Sequence, residues 1–298
     1  MDRIDAMRLF TRVVDRRSFT QASHDVDLPR STATQVIKQL EERLGVRLLQ
    51  RTTRAVRPTL DGEAYYRRCL AILDDIEDAE GAFRGATPRG MLRVEVQGTI
   101  ARHFLLPGIP DFLDRYPEIE ISVSESDRWV DVIREGVDCV LRYGALPDSD
   151  LIARALTMLE RITVAAPAYL ERHGYPESLA DLAAHRAVCL RSITTGVLTP
   201  FEFIREGAVE RVQMASPFSI TGTESFRDAA LLGLGLAQMP VFHIERDLAE
   251  GRLVRVLPDK PLPSQPVSIL YPRNRQLSPR VRLFIEWSMQ RFRGAGPT

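Results

Sequence analysis

The stretch from Ser18 to Gly45 reads SFTQASHDVDLPRSTATQVIKQLEERLG, and its reading decides the fold. Ser18 followed by Gln21 is a capping box, which predicts a short helix with Ala22 and Val26 facing inward. Asp27-Leu28-Pro29 is a stop followed by a start. Proline cannot continue a helix, yet it suits the first turn of a new one. The next helix is therefore expected from Pro29 to Leu44, stopped by Gly45, with Ala33, Val36, Ile37, Leu40 and Leu44 as its inward stripe. Its other face carries Arg30, Ser31, Thr32, Thr34, Gln35 and Lys38. Upstream, Met7, Phe10 and Val14 recur at helical spacing behind Asp2, an N-cap residue, and predict a helix over residues 3–16. Two short helices joined by a tight turn, the second with one apolar and one polar or basic face, form a helix-turn-helix. Arginine and glutamine pair bidentately with guanine and adenine edges, while serine and threonine suit base or phosphate. A solvated helix face with no partner would show the same pattern.

Working outward, residues 46–58 read as two short strands around Arg51-Thr52-Thr53-Arg54, a small basic wing suited to phosphate contacts. Thr59 then caps a long helix that reaches about Arg84. Within it Tyr65, Cys69, Ile72, Ile76, Ala79 and Phe83 are spaced alternately by four and three, a heptad seam. Such a seam needs a partner, which is either a second copy of the chain or another part of its own. Gly85-Ala86-Thr87-Pro88-Arg89-Gly90 reads as a hinge. The expected divisions are a winged helix-turn-helix over 1–58, a linker helix over 59–87 and a further body over 88–298.

From Met91 strands and helices alternate, as in α/β domains. Strands are expected at Leu92–Val96, Ile119–Val123 and Cys139–Leu141, and helices at Phe104–Arg115 and Trp129–Glu135. A similar order recurs with a strand near 211–219, a helix near 224–232, Gly233 and Gly235, and a strand at Leu236–Met239. The recurrence predicts two related lobes, the first about 90–162 plus 267–298 and the second about 163–266. The cleft between them, at carboxyl ends of strands, is the natural place for a ligand. A final helix is expected at Pro279–Phe292, with Val281, Phe284, Ile285 and Met289 on one face.

The net charge of zero hides an asymmetry. Residues 1–60 hold twelve Lys/Arg against seven Asp/Glu, so a basic head of +5 sits on a body of −5. That balance points to a polyanion partner for the head. The hydrophobic share of 44% is ordinary for a globular chain, and no apolar run is long enough for a membrane span. The acidic first residues do not read as a signal peptide, so a cytoplasmic protein without membrane contact is expected. Cys69, Cys139 and Cys189 are scattered and odd in number, and read as buried thiols or, alternatively, a redox sensor. The five histidines form no HExxH, and neither a GxSxG nor a Walker loop occurs. No catalytic residue, no metal site and no cofactor is therefore expected.

At several of these positions the chain resembles the LysR-type transcriptional regulators. The likeness is carried by Ser18-Phe19-Thr20-Gln21-Ala22, by the run from Gln35 to Leu49, by Arg51-Thr52-Thr53-Arg54 and by Thr59-Leu60-Asp61-Gly62. It continues through Asp138–Gly144, Ala165–Leu170 and the Leu-Gly-Leu-Ala-Gln-Met-Pro run at 234–240. One departure is Ser31, which stands where many members have proline, so base contacts do not transfer directly from other members. The resemblance implies a winged helix-turn-helix, a dimerising linker helix and a two-lobed effector domain like the periplasmic binding proteins. Its implied partners are promoter DNA, a small organic effector such as a carboxylate or aromatic, a second copy through the linker helix, a homotetramer, and RNA polymerase. The implied effector-binding residues are Gln97, Gly98, Thr99, Ile100, Arg142 with Tyr143, Ser192, Thr194, Thr223, Glu224 and Gln238. Thr99 and Ser192 would hold an anion together with amides at helix starts, although Thr99 is equally placed as a plain helix cap. Arg142 is read either as a ligand contact or as half of an ion pair inside its lobe, and Glu224 would repel an anion. The rival reading is a cytosolic solute-binding or enzyme-like two-lobed protein with a basic N-terminal module.

Overall fold

The computed structural model describes residues 1–51, 56–84, 88–193, 195–273 and 277–293. The head starts with α1 (Arg3–Arg16), which opens on a reciprocal cap: the Asp5 amide donates to Asp2 at 2.7 Å and the Asp2 amide to Asp5 at 3.2 Å. In α2 (Phe19–Asp25) the Ser18 hydroxyl accepts from the Gln21 amide. Helix α3 (Arg30–Leu44) ends on Gly45 in the left-handed conformation, φ 71°. Strands β1 (Leu49–Arg51) and β2 (Val56–Pro58) pair antiparallel as the wing, and α4 (Leu60–Arg84) follows. Leu9, Phe10, Val13, Ala22, Ala33, Ile37, Leu40 and Leu48 are buried together as the core of this unit.

Two expectations about the head are corrected. Leu44 is 39% exposed rather than inward. The buried position in that part of α3 belongs to Glu41, whose carboxylate accepts from the Leu48 and Leu49 amides at 2.8 and 3.0 Å. A charged group is tolerated there because it satisfies two amides of the chain entering the wing. The heptad seam also divides. Cys69 is fully buried and Tyr65 packs 5.4 Å from Phe10, centroid to centroid, so the start of α4 spends its apolar face on its own domain. Ile72 remains exposed. The side chains of Ala79 and Phe83 lie outside the described residues.

The wing and α4 meet very closely. The Thr59 hydroxyl donates to the Arg47 carbonyl at 2.6 Å and accepts from the Gly62 amide at 2.9 Å. A Cβ placed on Gly62 would lie 1.9 Å from the Leu48 carbonyl oxygen, so only glycine allows this approach.

The body opens with β3 (Gly90–Val96) and α5 (Gly98–Ile100), which runs on through a π turn and a 3-10 turn into α6 (Ile109–Arg115). The helical segment thus starts at Gly98, not Phe104, and Pro107 and Pro110 deny it the amides of one regular helix. After β4 (Ile119–Glu125) comes α7 (Val132–Glu135), shorter than expected, with Trp129 in the loop before it. Then follow β5 (Cys139–Tyr143) and β6 (Leu151–Leu159). These strands and β14 form a five-stranded sheet in the order β4-β3-β5-β14-β6, in which β14 (Gln265–Pro272) runs antiparallel to β5 and β6. Leu92, Val94, Leu141, Ile269 and the closing helix α11 (Pro279–Phe292) build its core.

The second lobe contains β7 (Arg161–Ala165), α8 (Pro167–His173), β8 (Arg186–Leu190), β9 (Phe201–Arg205), β10 (Ala208–Val212) and β11 (Ala215–Ile220). Then come α9 (Thr223–Leu231), β12 (Ala237–Pro240), α10 (Val241–Ala249) and β13 (Val254–Arg255). The strand expected near 211–219 is in fact two. β10 closes a hairpin with β9, while β11 runs parallel to β8. β8 joins the β12-β7-β13 sheet through reciprocal amide bonds with Leu236. The chain crosses between lobes twice, once between β6 and β7 and once before β14.

Candidate nucleic-acid interface and interlobe cavity

On α3 the residues opposite the buried stripe are Ser31, Gln35 and Lys38, all exposed, with Arg30 and Thr32 exposed on the flanks and Thr34 half-buried. Gln39, not singled out from sequence, is exposed on the same side as Thr32. Ser31, Thr32, Gln35 and Gln39 share a surface hollow with Met1 and Asp2 at the start of α1. Lys38 pairs with Glu42 one turn on, at 3.5 Å, and both side chains are largely solvated. An exposed pair of this kind adds little stability and leaves the ammonium available to a phosphate. Arg51 ends β1, but its side chain, with Thr52, Thr53 and Arg54, lies outside the described residues.

Between the two lobes lies a cavity of about 380 Å³. The first lobe contributes Gln97, Thr99, Tyr143 and Gln265, and the second Arg161, Glu202, Thr223 and Gln238, with apolar walls from Phe201, Phe226 and Phe242. Five of the residues expected from sequence therefore line it: Gln97, Thr99, Tyr143, Thr223 and Gln238.

The two glutamines organise the walls. The Gln97 side-chain oxygen accepts from the Tyr143 amide at 2.7 Å. The Gln238 oxygen accepts from the Glu202 amide at 2.9 Å and from Arg161 at 3.4 Å, while its NH₂ donates to the Glu202 carbonyl at 3.1 Å. Arg161 meets the Glu202 carboxylate at 3.1 Å, and Arg211 reaches the other carboxylate oxygen at 3.3 Å. The Tyr143 hydroxyl is buried and has no hydrogen-bond partner, and its burial pushes the phenol up from its usual range. Burial also lowers the His243 imidazole, against the pull of the Glu224 carboxylate at 3.4 Å.

Other expected positions are placed elsewhere. Ile100 is fully buried in the first lobe's core. Gly98 does not line the cavity; the space beside it is filled by Glu125. Arg142 is buried in the first lobe, donating to the Ser126 carbonyl at 2.6 Å and to the Arg128 carbonyl, with Glu95 at 3.7 Å. It ties β5 to the loop after β4, so the ion-pair alternative is the one the geometry supports. Glu224 meets Arg102 of the first lobe at 3.3 Å and spans the lobes outside the cavity. The Ser192 hydroxyl accepts from the Thr195 amide in a turn, away from the cavity. Thr194 lies outside the described residues. Cys189 lines the cavity, while Cys69 and Cys139 lie in hydrophobic cores.

Arg161, Glu202 and the three phenylalanines were not foreseen. One signal was available for Arg161: a charged residue heading the apolar strand Ile162-Thr163-Val164-Ala165, at the boundary between the lobes. No cluster of three or more His, Cys, Asp or Glu able to hold a metal occurs among the described residues. No described helix is long and apolar enough to cross a membrane.

Two family models match. The bacterial regulatory helix-turn-helix protein model of the lysR family covers residues 4–63, and the LysR substrate binding domain model covers residues 85–293. The chain is 37% identical over 289 residues to the HTH-type transcriptional regulator YhjC of Escherichia coli, covering 96% of this chain and 97% of that protein. It is 39% identical over 296 residues to an HTH-type transcriptional repressor of Pseudomonas aeruginosa, covering 98% and 93%. The solved structure of CrgA, a LysR-type regulator from Neisseria meningitidis, superposes with a TM-score of 0.61 at 30% identity, covering 97% of this chain and 98% of that one. With a DNA-binding head, a two-lobed body and relatives matched along almost their full lengths, this chain belongs to the LysR family of bacterial transcriptional regulators.

Proposed function

We propose that the protein binds promoter DNA sequence-specifically through α3 and that a small organic effector in the interlobe cavity controls that binding. The observation that carries the DNA reading is the exposed polar face of α3, set opposite a fully buried stripe and braced by Glu41 and Gly62. Gln35 and Arg30 have the chemistry to read bases, and Lys38 suits a phosphate. For the effector, the supporting feature is a cavity with walls from both lobes, so that a bound molecule favours one relative placement of the lobes over another.

Ile72, left exposed on α4 while Cys69 is buried, is available to a second copy, and we assign homodimerisation to that face. Pairing of such dimers into a tetramer, contact with RNA polymerase and a cytoplasmic location complete the reading. Its basis for these points is the family.

Binding of the full-length protein to duplex DNA, followed against salt, tests the central claim. Affinity should fall steeply with salt, and Lys38→Ala should weaken cognate and random DNA alike. Failure to bind any duplex at low salt would sink the regulator reading. Ile72→Asp should lower the mass in solution with little change in the fold; an unchanged mass would remove the linker helix as the dimer contact.

A further inference from the structure

We propose that the interlobe cavity selects an uncharged aromatic molecule bearing a hydroxyl or carbonyl group. This rests on the reading that the effector occupies that cavity. Charge is the first ground. Among the described residues Arg161 is the one Lys/Arg lining the cavity, and its guanidinium is already taken by Glu202 at 3.1 Å and by Gln238 at 3.4 Å.

The second ground is the state of the helix starts, which would otherwise attract an anion. The Asp127 carboxylate sits beside the Thr223 amide at the head of α9 and the Gln97 side chain, which favour its charged form against its burial. Beside Gly98, a Cβ would come within 2.7 Å of the Glu125 carboxylate. A carboxylate effector would thus lose its hydration, find no unpaired cation on the walls and meet the Glu202 carboxylate there, which is unfavourable. A cation fares little better, because Glu202 is held by Arg161 and Arg211, and Glu224 by Arg102. Burial of His243 disfavours its charged form.

The walls are the third ground. Phe201, Phe226 and Phe242 supply aromatic surface, and about 380 Å³ is room for one substituted ring. Tyr143 lines the same cavity with a buried hydroxyl that has no partner. A neutral hydroxyl or carbonyl would satisfy it without bringing a charge.

Three probes of nearly one shape isolate the charge: benzyl alcohol, benzoate and benzylammonium, titrated into the full-length protein at pH 7 by calorimetry. Saturable binding of benzyl alcohol is expected, with both ions at least about tenfold weaker. Tyr143→Phe should weaken the alcohol by about tenfold. Glu202→Gln, which leaves Arg161 without its counter-ion, should strengthen benzoate by a similar factor. Tighter binding of either ion by the unaltered protein, no saturable binding of the alcohol, or no gain of benzoate in Glu202→Gln overturns the proposal. Thr199→Trp, at an exposed position on the cavity wall, locates the event. An ion that wins but is lost in Thr199→Trp overturns the charge selection alone. An alcohol that still binds both Thr199→Trp and Tyr143→Phe removes the interlobe cavity as the effector site.

Discussion

The polar face of α3 and the interlobe cavity are the two candidate binding surfaces, and they are built at opposite ranges of the chain. The helix face draws its side chains from residues 30–38, exposed on one surface of one element. The cavity draws on Gln97, Tyr143, Arg161, Glu202, Gln238 and Gln265, brought together by strands of three sheets. On the helix, charges meet solvent. In the cavity they are buried and must satisfy one another, so Arg161 is half of a pair before any ligand arrives. The same residue type therefore means different things in the two places: Arg30 is a candidate reader, whereas Arg161 and Arg142 are structural ions.

The largest expected effect breaks the body while sparing the head. Asp247 is fully buried in α10 and accepts from Arg227 at 2.6 and 2.8 Å and from Arg252 at 2.5 and 2.9 Å. Asp247→Ala would remove four charge-assisted hydrogen bonds, leaving Arg227 with Asp228 and Arg252 with Glu250, and should lower the stability of the second lobe by about 3 kcal/mol, read as an earlier unfolding transition. Burial alone would raise the Asp247 carboxyl, but the two arginines hold it below the usual range. Its stabilisation is therefore complete above the unfolded value of about 4 and is lost as pH falls through the lower folded value. Between neutral pH and pH about 3, the variant should lose less stability than the unaltered protein. A parallel pair of curves would show that Asp247 is not the acid-sensitive contact.

A somewhat smaller effect separates the head from the body. Gly62→Ala places a methyl against the Leu48 carbonyl and should lower the stability of the head by about 2 kcal/mol, with weaker DNA binding. The body's transition should stay in place. Wild-type melting of both transitions would contradict the close approach of α4 to the wing.

Gln35→Ala asks whether the helix face reads sequence. Preference at one base position should relax by on the order of 1–2 kcal/mol, measured as the ratio of cognate to singly altered sites. Equal losses on cognate and random DNA would assign Gln35 to the phosphates. The smallest effect concerns the β9–β10 hairpin, whose turn residues Glu206 and Gly207 have φ of 53° and 81°. Glu206→Asn should stabilise the body by about 0.5 kcal/mol, since asparagine adopts that backbone more readily. Destabilisation would mean that the Glu206 side chain has a role of its own.

Legibility followed the same division. The ends of α1, α2 and α3 could be read because Asp2, Ser18, Pro29 and Gly45 act on amides and carbonyls within one turn of themselves. The inward stripe was legible as far as Leu40. It failed at Leu44 because the buried place belongs to Glu41, through hydrogen bonds to Leu48 and Leu49 that no helical period encodes. The seam of α4 showed a true apolar face but not which partner would cover each position. In the cavity, Gln97, Thr99, Tyr143, Thr223 and Gln238 were reached through family likeness, whereas Arg161 and Glu202 were not, because 41 residues separate them and only the folded second lobe pairs them.

What the sequence by itself determined is the basic head, the two-lobed body, the helix ends of the head and the polar face of α3. Each follows from charge content or from periodicities of a few residues, which act before any distant contact forms. What only the tertiary structure decided is which buried groups satisfy each other. It turned Arg142 inward, gave Cys69 to the head's core, neutralised Arg161 and left the Tyr143 hydroxyl without a partner. A buried polar group takes its meaning from its nearest neighbours in space, and those neighbours exist only once the chain has folded.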